Sequence, residues 1–116
     1  MTEIAIDELA GRLGEVAIID VRSRGEYDGT AGKPCDPRQG HIPGARHVDV
    51  YRLMELSPEH LRQALALPEG AEIVAYCHSG SRSAIASQVL RSLGYEARNY
   101  LGSWHEWSRH DDLPVE

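Results

Sequence analysis

The chain has 116 residues, 41% hydrophobic and 26% charged, a composition suited to one globular domain over 1–116 and unlike disordered, collagen-like or disulfide-dense sequences. A formal charge of −6 with no cluster of Lys and Arg argues against a nucleic-acid partner, and no stretch has the length of a membrane span. The opening MTEIAIDELAGRL resembles neither a secretory nor a transit segment, so a cytoplasmic location is expected, and the two cysteines, Cys35 and Cys77, are read as free thiols.

Short β-rich apolar runs alternate with helical patterns, which predicts an α/β fold of parallel strands joined by crossover helices. A brief strand over 4–6 leads into a helix over 7–13, with Asp7 as its cap and Gly14 as its stop. Residues 17–21 read as a buried strand that ends in Asp20-Val21-Arg22, where charge arrives at the carboxyl edge of the sheet. The Gly-, Pro- and Asp-rich stretch 28–39 has no period and reads as an excursion. A turn at 40–45 precedes a strand over 46–50, and Ser57-Pro58 opens a helix that runs to about 67.

Ile73, Val74, Ala75 and Tyr76 form a compact strand that delivers Cys77 into His78-Ser79-Gly80-Ser81-Arg82, and a helix begins near Ser83. Ile85, Val89 and Leu93 recur along it at helical spacing, and Gly94 ends it. A last strand over 97–101 and a short helix over 103–108 carrying Trp104 and Trp107 complete the pattern, and the final HDDLPVE packs as a tail.

Cys77 is the candidate nucleophile. A cysteine between a strand end and a helix N-terminus meets converging backbone N–H groups and the positive end of the helix dipole, and both favour the thiolate. A free thiol has a pKa of roughly 8.5, and such surroundings lower it. Arg82 is the nearby cation in sequence, Gly80 lets the loop bend, and Ser79, Ser81 and Ser83 leave room with hydroxyl donors. A persulfide or an oxyanion fits such a cradle. The alternative is a buried cysteine that merely ends a strand, but the polar, glycine-bearing flank favours function.

The segment Cys77-x-x-Gly80-x-Arg82-Ser83 resembles the active-site loop of rhodanese domains. Asp20-Val21-Arg22 with Glu26-Tyr27, and Gly40-His41-Ile42-Pro43-Gly44-Ala45, resemble that family's two upstream signatures in their order. Gly102-Ser103-Trp104-x-Glu106-Trp107 and Asp112-Leu113-Pro114-Val115 are similar to the end of the catalytic half of two-domain thiosulfate and mercaptopyruvate sulfurtransferases. The resemblance implies a five-stranded parallel sheet with helices on both faces. It implies Cys77 as the sulfur carrier, with loop amides from His78 to Arg82 holding the persulfide. It further implies arginines near Arg22 and Arg24 that attract an anionic donor, thiosulfate above all. The 28–39 excursion looks like the two-domain enzymes, whereas Arg82 at the loop end looks like the single-domain ones.

The expected reaction takes sulfane sulfur from a small anionic donor, through Cys77, to cyanide, a small thiol or a protein thiol, without an organic cofactor. A protein-to-protein persulfide relay or binding module is the main rival, and 3-mercaptopyruvate is a further candidate donor. Related phosphatases and arsenate reductases use Cys-x5-Arg, whereas this loop is Cys-x4-Arg and closes around a sulfur atom rather than a phosphate. Asp20 is expected to serve the scaffold, and His41 to shape its turn. His78 either tunes the nucleophile or faces solvent. Trp104 and Trp107 are expected in the core. Cys35 is either an incidental thiol or a resolving one. The six histidines, His41, His47, His60, His78, His105 and His110, lie scattered without the close spacing of a zinc site, so no metal is expected.

Overall fold

The apolar runs at 17–21 and 73–76 become adjacent parallel strands, and the rest of the molecule is arranged about them. The computed structural model describes residues 2–116. Strand β1 (Ala17–Asp20) lies between β2 (Arg46–His47) and β3 (Glu72–Tyr76), and β3 pairs with β4 (Glu96–Asn99), all parallel, in the order β2-β1-β3-β4.

Among the described residues the sheet therefore has four strands where five were expected. The missing strand is the one expected at 4–6. There the chain makes only an isolated parallel bridge, Glu3 to Asn99, and helix α1 (Ile6–Ala10) begins at once. Asp7 and Glu8 fall in its first turn, where they favour the positive helix end, and Asp7 is not the cap: Ala5 stands there without a side-chain bond.

Alternation along the strands splits the core into two layers. Ile19, Ile73 and Ala75 pack with Val50, Leu53, Leu61, Leu65, Ala86 and Leu90. Ile18, Val74 and Tyr76 pack on the other face with Leu9, Tyr100, Trp104 and Trp107. Helices thus cover both faces, and both tryptophans are core residues as expected. Each fully buried Ile, Val or Leu contributes roughly 1.5–3 kcal/mol relative to an exposed one.

Several boundaries differ from the pattern for local reasons. Helix α2 (Arg24–Asp28) starts on a capping box in which Ser23 and Glu26 bond each other's backbone N–H. The strand expected over 46–50 stops at His47, because Asp49 accepts from Tyr51 N at 2.9 Å and caps α3 (Val50–Glu55). Helix α4 (Pro58–Leu65) has Ser57 as N-cap, as expected. Helix α5 (Ser81–Ser92) opens with Gly80 at its cap and buries Ser83, Ala86, Ser87 and Leu90, while Ile85 of the expected apolar row is 46% exposed. Helix α6 (Ser103–Trp107) is followed by a tail held by Trp107 Nε1 donating to Pro114 O at 2.8 Å and by paired backbone bonds between His41 and Glu116. No helix among the described residues is long and apolar enough to cross a membrane.

Candidate active site

Two polar groups sit side by side at the carboxyl edge of the sheet, where Asp20 of β1 and Tyr76 of β3 are in register. The Asp20 carboxylate is fully buried. It accepts from the Arg22 backbone N–H (2.9 Å), from Arg22 Nε and Nη2 (3.0 and 2.7 Å) and from the Tyr76 hydroxyl (2.6 Å). Burial and the adjacent carboxylate push the Tyr76 phenol well above its ordinary value, so it stays protonated and donating. Arg22 also donates to Gly40 O at 2.6 Å and lies over the Trp104 ring, 5.0 Å from its centroid. This corrects the expectation for Arg22. At 1% exposure, with its guanidinium committed to Asp20 and Gly40, it braces the scaffold and is not presented to an anionic donor. Arg24 is paired with Asp28 at 3.3 Å on the exposed side of α2.

One residue beyond the end of β3 the arrangement is of another kind. Cys77 is 1% exposed, and several donors converge on its sulfur: Gly80 N at 3.1 Å, Ser83 N at 3.4 Å and Ser83 Oγ at 3.3 Å. The loop is turned amides-inward from outside. Trp104 N and His105 N, at the start of α6, take the carbonyls of Cys77 and His78 at 2.9 Å each, and Asn99 Nδ2 takes that of Gly80 at 3.2 Å. Ser103 Oγ accepts from Cys77 N at 3.0 Å and donates to Tyr100 O at 2.8 Å. Gly80 has φ +99, and a side chain there would meet the backbone oxygen of Leu101 at 2.7 Å, so only glycine fits.

Helix α5 adds its own donors, since the first N–H groups of any helix lack an intrahelical acceptor. Ser81 and Arg82 supply two of them and Ser83 the third, which reaches the sulfur. Burial acts against the Cys77 thiolate. The Ser83 hydroxyl and the amides of Ser83, Gly80 and Ser79 outweigh it, and the thiol lies below its ordinary value. A lowered thiol pKa raises the share of thiolate, the nucleophilic form of cysteine.

The other expected residues fall around this centre. Arg82 makes a two-pronged ion pair with Glu26, at 2.9 and 3.2 Å. Burial alone would raise the Glu26 carboxyl, but Arg82 and the Ser23 backbone hold it down at about 2. Ser79 and Ser81 are exposed, and Ser79 edges a cleft of about 450 Å³ lined also by Leu101, Gly102, His105 and Arg109. His78 has Nε2 3.1 Å from Asp36 and its ring edge-on to His105. His41 stacks on Tyr27 at 3.8 Å and shapes its turn, as expected.

The family model of the rhodanese-like domain matches residues 5–110. The chain belongs to the rhodanese-like domain family. It is 38% identical to a thiosulfate sulfurtransferase of Azotobacter vinelandii, over 95% of this chain and 44% of that protein. It is 36% identical to the sulfur carrier protein TtuD of Thermus thermophilus, over 88% of this chain and 41% of that one. A crystal structure described as a probable thiosulfate sulfurtransferase superimposes with a TM-score of 0.86 at 46% identity, covering 98% of this chain and 47% of that one. The chain thus spans less than half the length of each of these three.

Three contributors to the site were given no individual role from the sequence. Ser103 and Asn99 brace the rhodanese loop from outside, and Glu26 engages Arg82. The capping-box spacing Ser23-x-x-Glu26 was a readable sign that Glu26 sits at a helix start. Ser103 lies in the Gly102–Trp107 segment that resembles the family, but the bracing roles of Ser103 and Asn99 are not local signals, because Cys77 and Gly80 lie 26 and 19 residues away.

Proposed function

We propose that this rhodanese transfers sulfane sulfur. The Cys77 thiolate attacks the outer sulfur of an anionic donor such as thiosulfate; a Cys77 S–S bond forms, the donor's S–S bond breaks, and sulfite leaves with that bond's electron pair. The terminal persulfide sulfur is held by the amides of the 78–82 loop and the start of α5, with Arg82 offsetting its charge. In the second half-reaction an acceptor (cyanide, a small thiol or a protein thiol) attacks that sulfur and restores the thiolate, so the kinetics are ping-pong. The observation that carries this reading is the convergence of Gly80 N, Ser83 N and Ser83 Oγ on one sulfur. The sulfurtransferase names among its relatives support it.

The test is an intact mass of the reduced protein after incubation with thiosulfate, followed by cyanide and a thiocyanate assay. One added sulfur that cyanide removes catalytically, absent in Cys77→Ser, is the expected result; turnover retained by that variant would sink the assignment. A second reading, persulfide relay from a partner protein, has its support in the relative named as a sulfur carrier. It predicts loading from a donor protein's persulfide but not from thiosulfate.

A further inference from the structure

The scattered histidines gave no reason to expect a metal, yet the fold brings four ligand-type side chains to one point beside the active loop. Cys35 and Asp36 come from the 28–39 excursion, His78 follows Cys77, and His105 lies on α6; their Sγ, carboxylate oxygen and ring nitrogens all lie within 4.8 Å of one another. We propose that Cys35, Asp36, His78 and His105 bind a borderline divalent transition-metal ion, zinc by the chemistry of the donors. One thiolate, two imidazoles and one carboxylate make a four-coordinate set of the S, N and O type that zinc takes at about 2.0–2.3 Å. Those bond lengths put tetrahedral ligands about 3.3–3.6 Å apart, so the group needs to close by an ångström or so.

A second, independent observation points the same way. The Asp36 side chain is 1% exposed, and its Oδ2 has no hydrogen-bond partner. His78 Nε2 stands 3.1 Å from both carboxylate oxygens, but its hydrogen bond goes to Oδ1. A buried carboxylate oxygen without a donor is costly, and a cation in the cluster supplies what it lacks. Arg109 does not fill that role. Its Nη1 stands 3.1 Å from Asp36 Oδ1, the oxygen that His78 also bonds, and it donates to the carbonyls of His105 (2.6 Å) and Cys35 (2.8 Å). It therefore touches three ligand-bearing residues and leaves Oδ2 to the ion, as second-sphere partners of metal ligands do.

The excursion is held where the site requires it. Arg38 donates to the carbonyls of Trp107, the last residue of α6, and of Ser108, His110 and Leu113 beyond it, and Trp104 Nε1 donates back to Arg38 O at 3.0 Å. Cys35 is exposed and His105 is 52% exposed, so an ion reaches the cluster from solvent and either residue can be changed without opening the core. Binding releases the Cys35 thiol proton and joins the excursion to the residue next to the nucleophile.

The experiment is a titration of the reduced, metal-stripped full chain with Co²⁺, followed by absorption, and then with Zn²⁺. Saturation at one cobalt per chain is expected, with the intense visible bands of a four-coordinate ion, a thiolate-to-cobalt charge-transfer band, and loss of both as zinc displaces cobalt. Cys35→Ser should remove the charge-transfer band, and His105→Ala should weaken cobalt binding about tenfold or more. Cys77→Ser should keep the whole spectrum. Zinc should raise the thermal midpoint of the unaltered chain by several degrees and leave that of Cys35→Ser where it was. A titration without saturation, a saturable spectrum with no thiolate band, or a band that survives Cys35→Ser and vanishes in Cys77→Ser would each overturn the proposal.

Discussion

The ends of β1 and β3 are neighbours in one sheet, and they have opposite designs. At β1 every lone pair of Asp20 faces a donor that is itself anchored, Arg22 or Tyr76, and the group is closed to solvent and to ligands. At β3 the donors come from the backbone and from Ser83, and they all meet at one sulfur that is not committed to anything else. The first is a charge pair that the fold has used up; the second is a set of donors aimed at one sulfur. Charge at the carboxyl edge of a parallel sheet is therefore a poor guide to chemistry, and a surplus of oriented donors is a better one.

The contrast breaks most visibly at Asp20. Asp20→Ala leaves a buried guanidinium without its counter-charge and a buried phenol without its acceptor, and should cost about 3–5 kcal/mol of unfolding free energy. Cys77→Ser, one residue past the adjacent strand end, should stay within about 1 kcal/mol of the parent while losing transfer. Urea denaturation of both reads the difference directly. Equal loss of stability in the two variants would mean that the Cys77 cradle is as much a scaffold as the Asp20 pair.

Arg82 belongs partly to each design, since it stands at the open loop but is tied by Glu26. A carboxyl at about 2 in the folded chain, against an ordinary 4.5, contributes stability that is complete above about pH 4.5 and is lost as pH falls towards 2. At 1.36 kcal/mol per unit this is roughly 3 kcal/mol, and on the order of 2 once solvent around the part-exposed Arg82 is allowed for. Glu26→Gln, which cannot ionise, should be the less stable protein at pH 7, and the gap should close as pH falls. Parallel stability curves from pH 7 to pH 2 would show that the pair carries no such linkage.

Much of this was legible in the sequence, and the failures have physical causes. The strand at 73–76, the Cys77 loop and the helix after it were readable because strand, glycine turn and helix start are local signals. The Ser57-Pro58 helix start was local too. Arg22 was misjudged because its sequence neighbours do not reveal that Gly40 and Trp104 close over it. The strand expected at 4–6 reduced to a bridge, because the helix signal of Asp7 and Glu8 begins only a few residues after the pairing with Asn99. The apolar row Ile85, Val89 and Leu93 marked the helix correctly, and Val89 and Leu93 pack partly buried against the core, but Ile85 is exposed and the most buried face of α5 also bears Ser83, Ala86 and Ser87, small residues that a hydrophobic pattern registers weakly. The metal-type cluster was invisible because its members lie on three separate segments joined only by the fold.

The smallest change with a defined outcome is at Ser83, and it asks whether the oriented donors do chemical work or only close a turn. Ser83 Oγ is buried, lies 3.3 Å from the Cys77 sulfur and donates to it. Removing it takes away one hydrogen bond to a charged acceptor, worth about 1.5–3 kcal/mol, and leaves the Ser83 amide in place at 3.4 Å. Ser83→Ala should therefore slow loading from thiosulfate about tenfold to a hundredfold, slow alkylation of Cys77 at neutral pH in the same direction, and barely move the unfolding midpoint. Ser87→Ala, one turn along α5, removes a hydroxyl that bonds only to the Ser83 carbonyl at 2.8 Å, and should leave loading unchanged. If the two variants load alike, the Ser83 hydroxyl is packing, and the sulfur is held by the amides alone.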